Sequence, residues 1–377
     1  MWFKGILDVV RSFGSTSIEV YEWNLSDVMK KRLQNGTKLE SVSARHSDLQ
    51  FSGCQLAHAV VKADFLDRRN LTMPGLGFLL QASSIISFHA SPIELKSGAA
   101  KALNDFSLSS MAGRVGQGIA ILYGNRLGLK FIAHLRSYVE SLPAGSVGLA
   151  YKNDAMADFV FANNQQTVII ESKGSFSLGE NDPSLIKGVL KGALQDQIDP
   201  WLRYLQPTPS NGYVIYSCLR ESASERSAIF IVDPVGDSDR FSEVPLSVEQ
   251  VMRENYGAWL RVMGMTDVAE RLLQPSIDVN GKASYSFEVV EVSGRKYAYL
   301  RHSYSKWWWG FPIAGLDVVV LEAIQKVLQS TDASLQDLLA NYDGPSQPGH
   351  SYISIFPDGS IFGLYRGRRL DNLDIDF

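Results

Sequence analysis

The side chains best suited to chemistry lie within residues 157–174, where two short apolar segments flank a polar turn. Asp158 opens the first segment, and Glu171 and Lys173 follow the buried run of the second. Because side chains alternate along a strand, Glu171 and Lys173 point to the same face. A turn at residues 163–164 folds Asp158 back toward them. The pattern predicts a hairpin that collects two carboxylates and a lysine.

Two carboxylates that converge on one point repel each other unless a cation lies between them. A lysine one step further along the strand is placed to hold or deprotonate an attacking water. Asp158, Glu171 and Lys173 therefore indicate a divalent-metal site suited to phosphodiester hydrolysis. A surface hairpin without catalysis is the alternative that this pattern leaves open.

At these residues the chain resembles the PD-(D/E)xK nuclease superfamily, which has the restriction-endonuclease-like fold. Its members carry an Asp, a spacer of variable length and an (Asp/Glu)-x-Lys on adjacent strands, matched here by Asp158, Glu171 and Lys173. Another Glu-x-Lys occurs at residues 94–96, but no strand-borne acid lies just upstream of it. The resemblance covers about residues 105–235.

The resemblance implies a metal centre and a role for each residue. Asp158, Glu171 and the backbone carbonyl of Ser172 would hold Mg²⁺, with Mn²⁺ as a substitute. Lys173 would orient or activate the water. The substrate implied is nucleic acid, with DNA favoured over RNA.

A helix is predicted at residues 110–127, where the resembled nucleases carry one before the first core strand. Many of them place a Glu on it as a further metal ligand, whereas this helix offers Gln117 and no acid. Glu140 could substitute from the following segment, or it could be a solvated helix-end carboxylate. This difference leaves a second metal ion undecided.

A second helix is predicted at residues 184–201, after the Glu-x-Lys strand. The resemblance implies a Gln near the active site on this helix, and Gln197 is the candidate, although Gln195 could equally take the part. Lys187 and Lys191 lie four apart and share one face. They could meet a phosphate backbone or keep the helix soluble.

The predicted fold class is α/β, with a mixed central sheet flanked by helices as in the restriction-endonuclease-like fold. Apolar runs at residues 212–218 and 228–233 indicate strands that are covered on both faces. An N-terminal α+β module of unknown role is predicted at residues 1–100 and the nuclease-like domain at residues 101–240. A C-terminal α+β module for recognition or assembly is predicted at residues 241–377.

Local patterns indicate further elements in the two outer modules. In the first, a strand is predicted at residues 17–23 and a helix at residues 25–33. In the second, we expect hairpins within residues 287–303 and 352–365, and an apolar helix at residues 313–328.

Three consecutive tryptophans at positions 307–309 form the most unusual run in the chain. They cannot all face one side of a strand, so at least one is expected to be partly exposed. Stacking on a nucleic-acid base is one reading. Filling a gap between domains or forming a protein interface is the favoured one.

Composition indicates an ordinary globular protein, since 45% of the 377 residues are hydrophobic and 20% are charged. The first residues lack the order of a secretory signal, so the expected location is the cytoplasm, without a membrane partner. Cys54 and Cys218 are too few for a disulfide framework and are expected to be buried thiols.

The net charge of −4 argues against a non-specific DNA coat but not against an enzyme with local phosphate contacts. Basic residues cluster at positions 30–32, 68–69 and 366–369, where a solvated face is the favoured reading.

The predicted function is that of a metal-dependent nuclease, with restriction or phage defence as a setting by analogy. One alternative is an inactive nuclease fold that serves as a nucleic-acid-binding or assembly subunit. Another is an interaction protein whose tryptophan run docks a partner. A protein partner or a homo-oligomer is left open.

Overall fold

The structure, a computed structural model, describes most of the chain. The described residues are 14–66, 75–102, 105–141, 155–177, 180–205, 211–221, 225–234, 247–274, 283–300, 311–330, 332–345, 352–367 and 369–377. The three tryptophans at positions 307–309, whose exposure was predicted, and the basic pair at positions 68–69 lie outside these ranges.

The strands of the described residues are short to medium in length. In chain order they are β1 (Ser15–Trp23), β2 (Ser43–Ser52), β3 (Ile86–Ser87), β4 (Glu94–Leu95), β5 (Phe131–His134), β6 (Phe159–Ala162), β7 (Thr167–Ser175), β8 (Asn211–Cys218), β9 (Ala228–Val232), β10 (Ser284–Val292), β11 (Arg295–Leu300), β12 (Phe311–Asp317), β13 (Ile353–Ile355), β14 (Ser360–Tyr365) and β15 (Arg369–Asp376).

The helices of the described residues lie between these strands along the chain, singly or in pairs. They are α1 (Leu25–Met29), α2 (Gly53–Leu66), α3 (Gly75–Ile85), α4 (Ala99–Ala102), α5 (Asp105–Arg126), α6 (Leu135–Ser141), α7 (Pro183–Ala193), α8 (Asp199–Tyr204), α9 (Val248–Val262), α10 (Thr266–Leu273), α11 (Val318–Gln329) and α12 (Leu335–Leu338). A 3-10 turn at Leu39–Ser41 and a π-helical turn at Leu194–Ile198 complete the set.

Seven strands of the described residues form a mixed sheet in the order β2-β1-β9-β8-β7-β6-β5. The pairs β1 with β9 and β7 with β8 are parallel, and the remaining pairs are antiparallel. Strands β8 and β9 are buried along almost their whole length, as their apolar sequences predict. The prediction of an α/β fold with a mixed central sheet between helices is therefore confirmed.

The N-terminal segment contributes directly to this sheet. Strand β1 pairs with β9 from Glu19↔Ala228 to Trp23↔Val232, and β2 extends the sheet beyond β1. The boundary predicted near residue 100 therefore does not separate two sheets. Long-range pairing of this kind leaves no signal in local sequence patterns.

Six strands of the described residues form a second, antiparallel sheet in the order β13-β14-β12-β11-β10-β15. Its first strands, β10 and β11, make the predicted hairpin, and β13 and β14 make the other. The apolar helix predicted at residues 313–328 is wrong in its first part. Residues up to Asp317 pair with β11 and β14 as strand β12, and the helix begins at Val318.

Helices α2 and α9 lie between the two sheets. Helix α2 contacts α5 together with β13 and β14, whereas α9 contacts β5, β6 and α2. Lys62 of α2 forms a buried ion pair with Asp358, in the turn before β14, and Asn255 of α9 donates a hydrogen bond of 2.7 Å to the same carboxylate. This polar contact joins both sheets through one core.

The cysteines and the helix lengths bear on two further expectations. Cys54 and Cys218 are free and buried, as predicted. Among the described residues, none of the helices combines the length and the apolar character needed to cross a membrane.

Candidate active site

The predicted hairpin forms between β6 and β7. Four residue pairs connect the strands, from Ala162↔Thr167 to Phe159↔Ile170. Asn163 shapes the turn, because its side-chain oxygen accepts hydrogen bonds from the backbone N–H groups of Gln165 (2.8 Å) and Gln166 (2.9 Å). The next pair in this register is Asp158 and Glu171, so the hairpin brings these two carboxylates to the same point.

Asp158 lies just before β6 and contacts β7 through both its backbone and its side chain. Its backbone N–H donates to Oε2 of Glu171 at 3.1 Å. Its Oδ2 accepts from the backbone N–H of Ser172 at 3.0 Å and also from the Ser172 hydroxyl. Three hydrogen bonds therefore fix Asp158 against the strand that carries Glu171.

Lys173 completes the cluster, with its Nζ 2.5 Å from Oε1 of Glu171. The side chain of Glu171 is 2% exposed, whereas that of Lys173 is 36% exposed. Lys173 and Asp158 are both half-buried, so the cluster is accessible to solvent at these two residues, and Glu171 is its buried member.

Burial, and after it the neighbouring carboxylate of Asp158, raises the pKa of Glu171 to about 8, although Lys173 acts in the opposite direction. A carboxyl group in this condition favours its protonated form at neutral pH. A cation bound beside it would favour the ionised form instead.

Helix α5 covers the opposite face of β7 at very short range. A Cβ at Gly174 would overlap the carbonyl oxygen of Ala112, and a Cβ at Gly116 would lie 3.0 Å from the carbonyl carbon of Lys173. Glycine at both positions allows helix and strand backbones to touch. The close packing of α5 therefore fixes the position of the part of β7 that carries the predicted catalytic residues.

A different helical segment covers the face of Glu171 and Lys173. Gly212 is paired in register with Ile169, two residues before Glu171, and a Cβ at Gly212 would meet Ile198 of the π-helical turn. Side chains of residues aligned in a sheet, and of every second residue, share one face. The segment from α7 to α8 therefore lies beside the carboxylates.

This segment holds the chain that leads into Asp158. Gln197 donates from Nε2 to the carbonyl of Met156 at 3.1 Å, and Trp201 donates from Nε1 to the carbonyl of Ala155 at 2.9 Å. The contact of Gln197 shown here is thus with the backbone two residues before Asp158. Trp201, which is fully buried, was not among the predicted site residues.

The single helix predicted at residues 184–201 is in fact interrupted. Helix α7 ends at Ala193, five residues follow in a π-helical turn, and α8 begins at Asp199. Such turns change the direction of the side chains after them, and they have no clear signal in residue pattern. Pro200, inside the predicted helix and in the first turn of α8, is the sequence signal that a new helix begins here.

The other residues considered for the site differ in exposure. Gln117 is half-buried on α5, Gln195 is exposed, and Glu140 is exposed on α6. Within the described part of the chain, no group of three or more His, Cys, Asp and Glu side chains could hold a metal ion. Glu140 therefore does not join Asp158 and Glu171 as a third ligand.

The donor atoms nevertheless suit a hard divalent cation. Two carboxylates meet at one point, and the carbonyl of Ser172 lies on the strand edge that faces Asp158, because the N–H and C=O of a strand residue point to the same side. These are all oxygen ligands, which Mg²⁺ and Mn²⁺ prefer. Mg²⁺ commonly takes one or two carboxylates and completes its shell with water and phosphate.

The arrangement thus places oxygen atoms of the kind that divalent cations prefer beside a partly exposed ammonium group. Comparison with protein-family models, with curated proteins and with solved structures finds no match to this chain.

Proposed function

We propose that this protein is a metal-dependent nuclease of the PD-(D/E)xK type that hydrolyses phosphodiester bonds, with DNA as the favoured substrate. One observation carries the proposal: the backbone N–H of Asp158 and the Nζ of Lys173 contact the two oxygens of the same buried carboxylate, Glu171. The acid and the Glu-x-Lys of the sequence pattern thus form one cluster.

The order of elements around the cluster supports the proposal. Helix α5 precedes three antiparallel strands, β5, β6 and β7, and helix α7 then leads to β8, which is parallel to β7. The resemblance implies a helix before the core strands, a second helix after the Glu-x-Lys strand and a mixed sheet. A restriction-endonuclease-like core is therefore part of what we propose.

Asp158, Glu171 and the carbonyl of Ser172 would hold Mg²⁺, or Mn²⁺ in its place. When bound, the ion would act as a Lewis acid on the scissile phosphate. Burial raises the pKa of Glu171 to about 8, so its carboxyl group favours the protonated form at neutral pH. Glu171 would therefore have to lose this proton for both of its oxygens to serve as ligands.

Lys173 is partly exposed, so a substrate can reach it. Its ammonium group donates hydrogen bonds and is anchored by Glu171, so it can orient a water molecule beside a phosphate. Its positive charge also stabilises the negative charge that develops on the phosphate oxygens. Gln197 and Trp201 are positioning residues in this proposal, because they hold the backbone that leads into Asp158.

The test is a cleavage assay with matched variants. Wild-type protein, Lys173→Ala and Lys96→Ala are incubated with supercoiled plasmid, single-stranded DNA and RNA in Mg²⁺, Mn²⁺ or EDTA. Lys96 is the control because it belongs to the other Glu-x-Lys, and its Nζ donates to the carbonyl of Ser83. Cleavage and mobility shift are scored on the same samples.

We expect cleavage that requires the divalent ion, persists in Lys96→Ala and is lost in Lys173→Ala. The preferred nucleic acid then identifies the substrate. Binding without cleavage by every variant would overturn the enzymatic proposal in favour of an inactive nuclease-fold subunit. Restriction or phage defence in the cytoplasm is the setting suggested by analogy with the superfamily.

A further inference from the structure

Two basic segments that are far apart in the sequence meet on one surface. The Nζ of Lys187 on α7 donates to the carbonyl of Lys31, 156 positions away, at 3.5 Å. The Nζ of Lys191 donates to the carbonyls of Met29 (3.2 Å) and Lys30 (3.4 Å). These carbonyls lie at the C-terminal end of α1, where lysine ammonium groups are stabilising because the last carbonyls of a helix lack partners within the helix. The contact defines a basic surface that consists of Lys30, Lys31, Arg32 and Lys191, with Lys187 buried beneath it.

The positive charges of this surface are crowded. Lys30, Lys31 and Arg32 are exposed, and Asp27, which pairs with Lys30, is the one acid within residues 25–32. Burial, and next the charge of Lys191, lowers the pKa of Lys187. Repulsion between like charges is relieved when an anion binds. A surface of this kind stands out in a chain whose net charge is −4.

Helix α7 connects the basic surface to the segment that lies beside the carboxylate cluster. Helix α7, which carries Lys187 and Lys191, continues through the π-helical turn to Gln197, and Gln197 donates to the carbonyl of Met156, two residues before Asp158. Lys191 precedes Gln197 by six residues, or about 9 Å along a helix axis. One short helical segment therefore connects the basic surface with the backbone that leads into Asp158.

We propose that the basic surface binds the sugar–phosphate backbone of the nucleic acid whose scissile phosphate reaches Lys173. The substrate's phosphates would contact the exposed Lys31 and Arg32, while Lys187 and Lys191 hold the two segments together. This inference rests on the proposed function for the identity of the bound molecule. It assigns a binding role to residues 30–32, which the sequence pattern favoured as a solvated face.

The test measures binding in EDTA, so that cleavage has no influence on it. The full-length wild type, the double variant Lys31→Gln with Arg32→Gln, and the control double variant Lys101→Gln with Lys296→Gln are titrated into fluorescent single-stranded and duplex DNA at several salt concentrations. Lys101 and Lys296 are exposed and lie outside the basic surface, so the control loses the same charge. A labelled poly-glutamate peptide is the competing anion.

We expect the first double variant to bind DNA about tenfold more weakly, with a salt-dependence slope smaller by about 2. The control should match the wild type in both quantities. Equal binding by the two double variants, absence of DNA binding by the wild type, or equal affinity for poly-glutamate would each overturn the inference. Thermal melting of all three proteins shows whether the exposed substitutions leave the fold intact.

The outcomes separate this inference from the nuclease proposal. A weaker affinity of the Lys31/Arg32 variant in EDTA supports the surface even if no cleavage is found with Mg²⁺. Conversely, cleavage that depends on Lys173, together with unchanged DNA affinity of that variant, supports the nuclease and rejects the surface.

Discussion

Gly174 of β7 lies directly against the backbone of Ala112 on α5, and a Cβ at position 174 would lie 2.6 Å from the carbonyl carbon of Ala112. Gly174 follows Lys173 in the chain, so this contact fixes the strand immediately beside the predicted catalytic lysine. Neither backbone can move without displacing the other, because both belong to regular elements packed at their closest approach.

Substitution of Gly174 by Ala should therefore destabilise the protein. We expect a loss of about 1–3 kcal/mol of unfolding free energy, since the added methyl group meets backbone atoms that cannot rotate away. The measurement is urea denaturation. Gly113→Ala on the same helix is the control, because open space surrounds that position and the helix propensity of Ala should stabilise it by up to about 1 kcal/mol. Equal stabilities of the two variants would contradict the close contact.

The raised pKa of Glu171 predicts a pH-dependent stability in EDTA. The folded protein holds a proton on Glu171 up to about pH 8, whereas the unfolded chain loses it near the ordinary value of 4.5. The stability contributed by this proton is complete below the lower value and is lost as the pH rises through about 8. The unfolding free energy of wild type minus that of Glu171→Gln should fall by about 5 kcal/mol across this window. A difference that stays constant with pH would show that Glu171 is not buried as described.

Gln197 and Trp201 should control how well the site binds a divalent ion. Trp201→Phe keeps an aromatic ring but removes the donor to Ala155, and Gln197→Ala removes the donor to Met156. We expect each to cost about 1–2 kcal/mol of stability and to reduce the rise in melting temperature caused by Mn²⁺. Gln195→Ala, at an exposed position on the same turn, should behave as the wild type. If Gln195→Ala alone lowers the response to Mn²⁺, the assignment of Gln197 is wrong.

The buried ion pair between Lys62 and Asp358 should be essential for stability. Both side chains are almost fully inaccessible, so Lys62→Met would leave a buried carboxylate without its main partner. We expect a loss of about 3–5 kcal/mol, measured by urea denaturation. The matched control, Lys30→Met, breaks an ion pair whose lysine is 57% exposed and should cost less than about 1 kcal/mol. Similar losses in both variants would argue against the burial of the Lys62 pair.

Local patterns in the sequence were sufficient for the hairpin, the shared face of Glu171 and Lys173, and the class of the fold. Alternation along a strand and turn residues between apolar runs act over a few positions, so they can be read without knowledge of the fold. The extent of the apolar helix predicted at residues 313–328 could not be read in this way. Its first residues pair with two other strands, and such pairing overrides local preference.

Only the tertiary structure decided how distant segments meet. It pairs β1 with β9 and packs Gly174 against Ala112. It also places Trp201 in hydrogen-bonding contact with the chain before Asp158, and the lysines of α7 in contact with residues 29–31. It also decided the protonation of Glu171, whose pKa depends on burial by segments that are remote in sequence. The residue types of the site could thus be read from the sequence. The burial and protonation of Glu171 and the formation of the basic surface arise from packing between segments that are far apart in the sequence.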